Sequence, residues 1–494
     1  MRLYAIRFLT LALCAYMTLV GTIQQSSAQE YYTGPPAKYI FLFIGDGMGI
    51  AQKMATEAVT QRKLAIDTLP VQGITTTQAN DRFIIGSAAA GTAMSTGQIT
   101  NIGMIGMSPE KKSIKSIAEI ARDLGKKVGI VSSVSIDHAT PAAFYAHVPK
   151  RSMYHYIDHA IATSGFDYFA GGGLKDPTGN RKGITSRGDA LRAIKNAGYT
   201  IVTTRSAFDN LSATSGKILA SNEWLQDSGA TPYEIDRRAQ DVSLAEFTQQ
   251  GITVLDNPNG FFLMVEGGKI DWACHANDAK AAILDTVAFD NAVKEAIAFY
   301  KKHPDETLIV VTGDHETGGL TLGFAGTKYK TNFDILDAQS TSFKQFTMSV
   351  MEPLQESANG STCFNDIQPA ITRYFGLKFE GNPDADNMVL KAHEIEKLNE
   401  AFVHSMAGKL ITNSNPQAAV LYGSYDPLVV AITHIVNNKA GLAWTSFKHT
   451  GTPIATSAIG VGAEQFANSY HQTAIAKKIM AVMGVQPTVH ASSN

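Results

Sequence analysis

Residues 307–315 read TLIVVTGDH. A short, unbroken apolar run that stops at glycine is the pattern of a strand buried on both faces, as in a parallel sheet. Three other stretches share it: KYIFLFIG (38–45), KKVGIVSSV (126–134) and GFFLMVEGG (260–268). Helical patterns separate them: SIKSIAEIARDLG (113–125), ALRAIKNAG (190–198), EIDRRAQDVSLAEFTQQ (234–250) and DAKAAILDTVAFDNAVKEAIAFYKKH (278–303). Strands alternating with helices predict an α/β fold: a doubly wound, mostly parallel central sheet with helices on both faces.

In such sheets ligands sit beyond the carboxyl ends of the strands. Here three apolar runs end on acids: Asp46 in FLFIGDGMG, Glu266 in FFLMVEGG, and Asp314 with His315 in LIVVTGDHETGG. One acid after a strand is ordinarily a helix cap. Three such ends, each flanked by glycines that admit a close backbone or ligand, predict one shared polar site.

The rest of the chain bounds the answer. Its 494 residues carry 42 Lys+Arg against 44 Asp+Glu, so no electrostatic footprint for nucleic acid or an anionic membrane is evident. Residues 1–28 depart from the remainder. Arg2 and Arg7 precede the apolar stretch Phe8 to Val20, and the small residues Ser26 and Ala28 follow. That reads as a cleaved export signal, the apolar run being too short for a span of about 20 residues. It predicts a soluble mature domain over 29–494 in the periplasm or outside the cell, with no membrane span after cleavage. Of three cysteines only Cys274 and Cys363 lie beyond the signal, and their pairing is left open. Residues 325–440 read differently, with helical patterns at 342–356 and 388–407 and a solvated turn at EGNPDADN (380–387). They predict a large insertion before the last core motif.

Candidate ligands gather around the strand ends. In VEGGKIDWACH (265–275), Asp271 and His275 are four apart and share one helical face. His449 stands beside Gly and Thr in FKHTGTPIATSAIG (447–460). Mixed imidazole and carboxylate donors suit zinc, whereas carboxylate and hydroxyl oxygens suit magnesium. Ser87 sits in IIGSAAAGTAMSTG (84–97). The small residues there fit close helix packing. They equally place a hydroxyl at a helix N-terminus, whose free N–H groups favour an anion.

Six segments together carry a resemblance: IGDGMG, GSAAAGTAMSTG, DHATPAAFYAHVPKR, VEGGKIDWACH, VTGDHETGG and HTGTPIA, in this order across residues 40–460. The chain resembles the alkaline phosphatase family, in its secreted bacterial type. The resemblance implies a metal-dependent hydrolase of phosphate monoesters working through a phosphoserine, with small-molecule phosphate monoesters as substrates. It implies Ser87 as nucleophile and Arg151 as the guanidinium on two phosphate oxygens. It implies Asp271, His275 and His449 on one Zn2+, Asp314 and His315 on a second, and Asp46 bridging to a third ion. Glu266 and Thr140 join that third site, usually Mg2+. Homodimers are common in the family, and the insertion leaves this point open.

The chain departs from the pattern at three places. Gly86 stands where the family commonly has Asp, which predicts a looser Arg151 and weaker phosphate hold. His138, two residues before Thr140, leaves the third ion open between Mg2+ and a more zinc-like ion. Trp272 stands where some relatives carry a cation toward phosphate, and an indole supplies no such charge. Related activities fit less well. The sulfatase x-P-x-R pattern is absent after Ser87, and diesterases often have Thr as nucleophile and lack the Arg. A phosphate- or metal-binding module without turnover conflicts with an intact nucleophile and a full ligand set.

Overall fold

The computed structural model describes residues 32–181, 183–357, 362–407 and 416–485. The expected export signal lies outside them. Ten strands form one sheet: β1 (Tyr39–Gly45), β2 (Val71–Thr76), β3 (Lys127–Ser132), β4 (Tyr168–Gly171), β5 (Tyr199–Val202), β6 (Lys217–Ser221), β7 (Phe261–Glu266), β8 (Thr307–Gly313), β9 (Ile454–Gly460) and β10 (Asn468–His471). Their spatial order is β10-β2-β9-β8-β1-β7-β3-β4-β6-β5. Only β9 runs antiparallel to its neighbours, β2 and β8.

The continuous apolar runs arise because both faces of the central strands are covered. Along β1, Tyr39, Phe41 and Phe43 enter one core, and Ile40, Leu42 and Ile44 enter the other. β7 alternates in the same way, with Phe261, Leu263 and Val265 against Phe262 and Met264. The first core is closed by α1 (Ile50–Thr60), α5 (Leu244–Leu255), α6 (Lys269–His275), α7 (Ala279–Tyr300) and α8 (Pro427–Ala440). The second is closed by α2 (Ser87–Thr96), α3 (Ile117–Asp123), α4 (Tyr154–Ser164) and α9 (Thr473–Val482).

Two helical expectations shift. The helix expected over 234–250 begins at Leu244, because Ser243 and Glu246 form a reciprocal capping box there. Residues Glu234–Asp236 make a separate 3-10 turn. The pattern at 342–356 is a run from Phe343 to Ser357 interrupted by a π turn at Thr347–Met351. Most of the region expected as an insertion is helical, including Phe364–Phe375, Ala392–Met406 and α8. Chain entry and exit pair as a ribbon, Thr321–Leu322 against Leu442–Ala443. No single described helix is long and apolar enough to cross a membrane.

Parallel register brings the carboxyl ends of the central strands to one edge. Ile44 is level with Glu266 and Thr312, Gly45 with Gly313, and Ser132 with Glu266. The residues that follow these ends are therefore neighbours.

Candidate active site

Asp46 and Asp314 follow β1 and β8, and Glu266 ends β7; all three are fully buried. Gly47 N and His315 N donate to Asp314 Oδ1 at 3.0 and 2.8 Å. The Ser132 hydroxyl donates to Glu266 Oε2. The opposite oxygens, Asp314 Oδ2 and Glu266 Oε1, are buried without a partner, as are Asp46 Oδ1 and His138 Nδ1. Three orphaned carboxylate oxygens in one place call for a cation, since an unpaired buried polar group is costly.

The ligand atoms converge in three groups: Asp271–His315–His449, Asp46–Asp314–His315, and Asp46–His138–Glu266. His275 joins the first. Its Nε2 lies 3.1 Å from His449 Nε2 and 3.4 Å from Asp271 Oδ2, and His449 Nε2 lies 3.7 Å from Asp271 Oδ1. α6 delivers Asp271 and His275 one turn apart, as their spacing predicts. His449 arrives on a two-residue ribbon paired with Glu316–Thr317. Both imidazoles are oriented through Nδ1, His275 on Phe447 O at 2.7 Å and His449 on Ile85 O at 2.8 Å. That leaves Nε2 of each turned to the centre, the usual arrangement behind a metal-ligating histidine. Thr140 Oγ1 donates to Asp46 Oδ2 at 3.4 Å.

Electrostatics tell the same story. Burial, then Asp314 and Asp271, hold Asp46 well above the usual carboxylate range. Burial raises Glu266 to about 7 and, with Asp271 next, Asp314 to about 8. Burial, then His449 and His275, push His315 well below the usual imidazole range. These are the marks of like groups crowded together out of water.

Ser87 is the first residue of α2, behind an extended Gly86. Its Oγ lies 3.4 Å from His315 Nε2. Both readings of its small neighbours hold. A Cβ at Gly91 would sit 3.1 Å from Ala143 Cβ, so α2 packs closely, while its N-terminus faces the ligand groups. The glycine before Ser87 predicts a looser Arg151, and here its side chain has a different partner. Its Nη2 donates to His138 Nε2 at 2.7 Å, so an imidazole occupies the guanidinium in place of a carboxylate. Trp272 meets the His138 ring at 5.6 Å between centroids.

A cavity of about 290 Å³ opens over these groups, lined by Ser87, Arg151, Lys175, Trp272, Phe343 and Tyr425 among others. Lys175, Phe343 and Tyr425 are absent from the sequence-predicted site, as are two buried supports. Thr317 Oγ1 donates to Asp271 Oδ1 at 2.5 Å. The Glu316 carboxylate accepts from Gln52 Nε2, Gly319 N and the Thr450 hydroxyl. Both supports lie inside the GDHETGG segment and could have been picked from it. Cys274 is buried and Cys363 exposed, both as free thiols.

The arrangement can hold several divalent ions against a serine hydroxyl and an anion-binding guanidinium. The family model described as alkaline phosphatase matches residues 37–485. Alkaline phosphatase 3 of Bacillus subtilis (strain 168) is 31% identical over 475 residues, 93% of this chain and 92% of that protein. The crystal structure of a cold-active alkaline phosphatase from a psychrophilic Shewanella sp. superposes with a TM-score of 0.72 at 25% identity, covering 90% of this chain and 99% of that one. A TAB5 alkaline phosphatase mutant, a histidine changed to glutamate with Mg bound in the M3 site, gives 0.62 at 26% identity, over 92% and 99% of the two chains.

Proposed function

Because the chain belongs to the alkaline phosphatase family, we propose that it hydrolyses phosphate monoesters with Ser87 as nucleophile. The observation that carries this is the position of Ser87 Oγ, 3.4 Å from His315 Nε2 at a helix N-terminus that faces three groups of candidate ligands. The enzyme depends on metal ions. The orphaned oxygens of Asp46, Asp314 and Glu266 fit such ions by charge and donor type. Asp271, His275 and His449 would hold one zinc, and Asp314 and His315 a second. Asp46 would be shared with a third site completed by Glu266 and Thr140, for magnesium or, with His138 beside it, a more zinc-like ion. Bound there, the ions supply Lewis acidity that favours an ionised hydroxyl and stabilises a departing oxygen.

The chain's own residues do the rest. Ser87 Oγ attacks phosphorus, the ester P–O bond breaks, and the alcohol leaves with a proton. Water then attacks the phosphoserine, releasing inorganic phosphate and restoring the hydroxyl. Arg151 offers two parallel N–H groups to phosphoryl oxygens, a fork that lysine lacks. Free N–H groups at the start of α2 face the same charge.

Two wider readings accompany this one. The pattern of residues 1–28 supports export. Exposed Ile50 and Met54 on α1, and Phe83 against Gly451, support a homodimer seated beside the site; light scattering of a monomer alone would refute that second reading.

The deciding experiment is p-nitrophenyl phosphate hydrolysis at alkaline pH, before and after chelation, with zinc and magnesium returned and Ser87→Ala alongside. Activity lost on chelation, restored by the ions and absent from the variant is the expected result. No turnover in any zinc and magnesium mixture overturns the reading, and diesters are then tried.

A further inference from the structure

The cavity has a second cation. Lys175 reaches it from the loop after β4, through GGGLK (171–175). The last residue of β4 and the first of that loop pass the end of β3 at a distance only glycine allows. Gly171 has φ +130°, and a Cβ there would sit 1.7 Å from Ser132 O; one at Gly172 would sit 2.3 Å from Val134 O. The crossing brings Lys175 to the carboxyl edge of the sheet. There its backbone N donates to Asp137 Oδ2 at 2.6 Å, next to His138 in sequence. The lysine is fixed at its backbone, and its side chain lines the cavity with Ser87 and Arg151.

What surrounds the ammonium is informative. Nζ stands 5.0 Å from the Tyr154 ring centroid and 5.4 Å from that of Trp272. Among the described residues no carboxylate lies within 4.0 Å of it, unlike the lysines of the surface ion pairs. Aromatic faces hold a cation without neutralising it. Trp272 in turn meets His138, and His138 holds Arg151. The two cations thus flank one continuous wall, Arg151–His138–Trp272–Lys175, and among the described residues neither has a carboxylate within 4.0 Å.

We propose that Lys175 is a second phosphate-binding residue, its ammonium meeting a phosphoryl oxygen opposite the Arg151 fork. The indole of Trp272 lacks a charge, yet it is the surface on which this charge is mounted. The weaker phosphate hold expected from Trp272 is offset from a different loop, one the sequence gives no reason to single out. This inference rests on the phosphomonoesterase reading.

The test separates the two. Equilibrium dialysis of radiolabelled inorganic phosphate against the zinc- and magnesium-loaded protein reads binding without turnover. Lys175→Met is expected to weaken phosphate about tenfold, the loss of one charge-assisted hydrogen bond, with Lys175→Arg recovering most of it. Phosphate has no leaving group, so an effect on its Kd locates Lys175 at the phosphoryl group. A Kd within twofold of the parent in a variant of unchanged melting temperature overturns the proposal. So does a raised KM for p-nitrophenyl phosphate with an unchanged phosphate Kd, which would put Lys175 on the leaving group. Failure of the parent itself to hydrolyse the ester strikes the phosphomonoesterase reading instead, and the dialysis still decides Lys175.

Discussion

The Thr317 hydroxyl donates to Asp271 Oδ1 at 2.5 Å and stands 3.3 Å from His315 Nδ1. One buried side chain thereby touches both Asp271 and His315, two of the candidate ligands. Such outer partners set ligand direction and basicity. Thr317→Val keeps the shape and removes the donor. It should weaken zinc retention about 10- to 100-fold, measured by competition with a chromophoric chelator. Unchanged retention would show that Asp271 is aimed by α6 alone.

Removing the ions should make stability depend on pH in a particular direction. In the metal-free protein, burial raises Glu266 to about 7 and Asp314 to about 8, and it holds Asp46 well up. The folded state then binds protons that the unfolded chain, with ordinary carboxylates, has released. Stability is full below the ordinary carboxylate range and is lost as pH rises through about 7 and then about 8. The melting temperature of the chelated protein should fall from pH 5 to pH 9. With zinc and magnesium restored, that fall should largely disappear. Parallel curves for the two forms would sink the idea that these carboxylates face a cation.

Much of this was legible in the chain because the physics is local. β1, β7 and β8 are buried on both faces, so their sequences are unbroken apolar runs, and their ends carry Asp46, Glu266 and Asp314. β9, IATSAIG, is hidden because its middle, Ala455 to Ala458, is small and polar rather than apolar, although Thr456, Ser457 and Ala458 are buried in a row. The start of α5 was misplaced because Arg237 and Arg238 continue a helical rhythm that the Ser243–Glu246 cap overrides. Nothing in the chain marks Lys175 or Phe343 for the cavity, although Phe343 begins the helical pattern expected at 342–356. Each comes to the cavity from a loop or helix whose path depends on distant contacts, such as Gly171 against Ser132.

Gly86 leaves room for a side chain. A Cβ there would meet nothing nearer than Ile102 Cδ1 at 3.9 Å and His449 Cε1 at 4.0 Å, and the backbone is extended. Gly86→Asp should therefore fold, and the new carboxylate is expected to accept from Arg151. Inhibition by inorganic phosphate should tighten several-fold, by about 1 kcal/mol for a better-oriented guanidinium. An unchanged inhibition constant would mean that His138 already orients Arg151 fully.

The two cysteines should react very differently. Burial, then the charges of Glu316 and Asp271, raise the Cys274 thiol well above its ordinary range, whereas Cys363 is exposed. Since the thiolate is the nucleophile, iodoacetamide on the native protein should label the Cys363 peptide and spare that of Cys274 until denaturant is added. Early labelling of Cys274 would reveal an opening of the α6 region.

His138 faces a choice set by its chemistry. Arg151 can only donate, so at 2.7 Å the His138 Nε2 must accept. A neutral imidazole has one accepting nitrogen, so the proton then sits on Nδ1. That same Nδ1 lies 4.0 Å from Glu266 Oε1, on the side of the third group of ligands. Ligation through Nδ1 therefore requires Arg151 to let go of Nε2, and holding Arg151 forbids ligation. A carboxylate escapes the conflict, because it can accept from Arg151 with one oxygen and face a cation or its water with the other. His138→Asp should raise the magnesium retained per chain after dialysis about tenfold in affinity, measured by elemental analysis across a magnesium series. It should also leave phosphate inhibition no weaker than in the parent, since Arg151 keeps a partner. Equal magnesium content in both proteins would show that the third site is decided by Asp46, Thr140 and Glu266 without regard to His138.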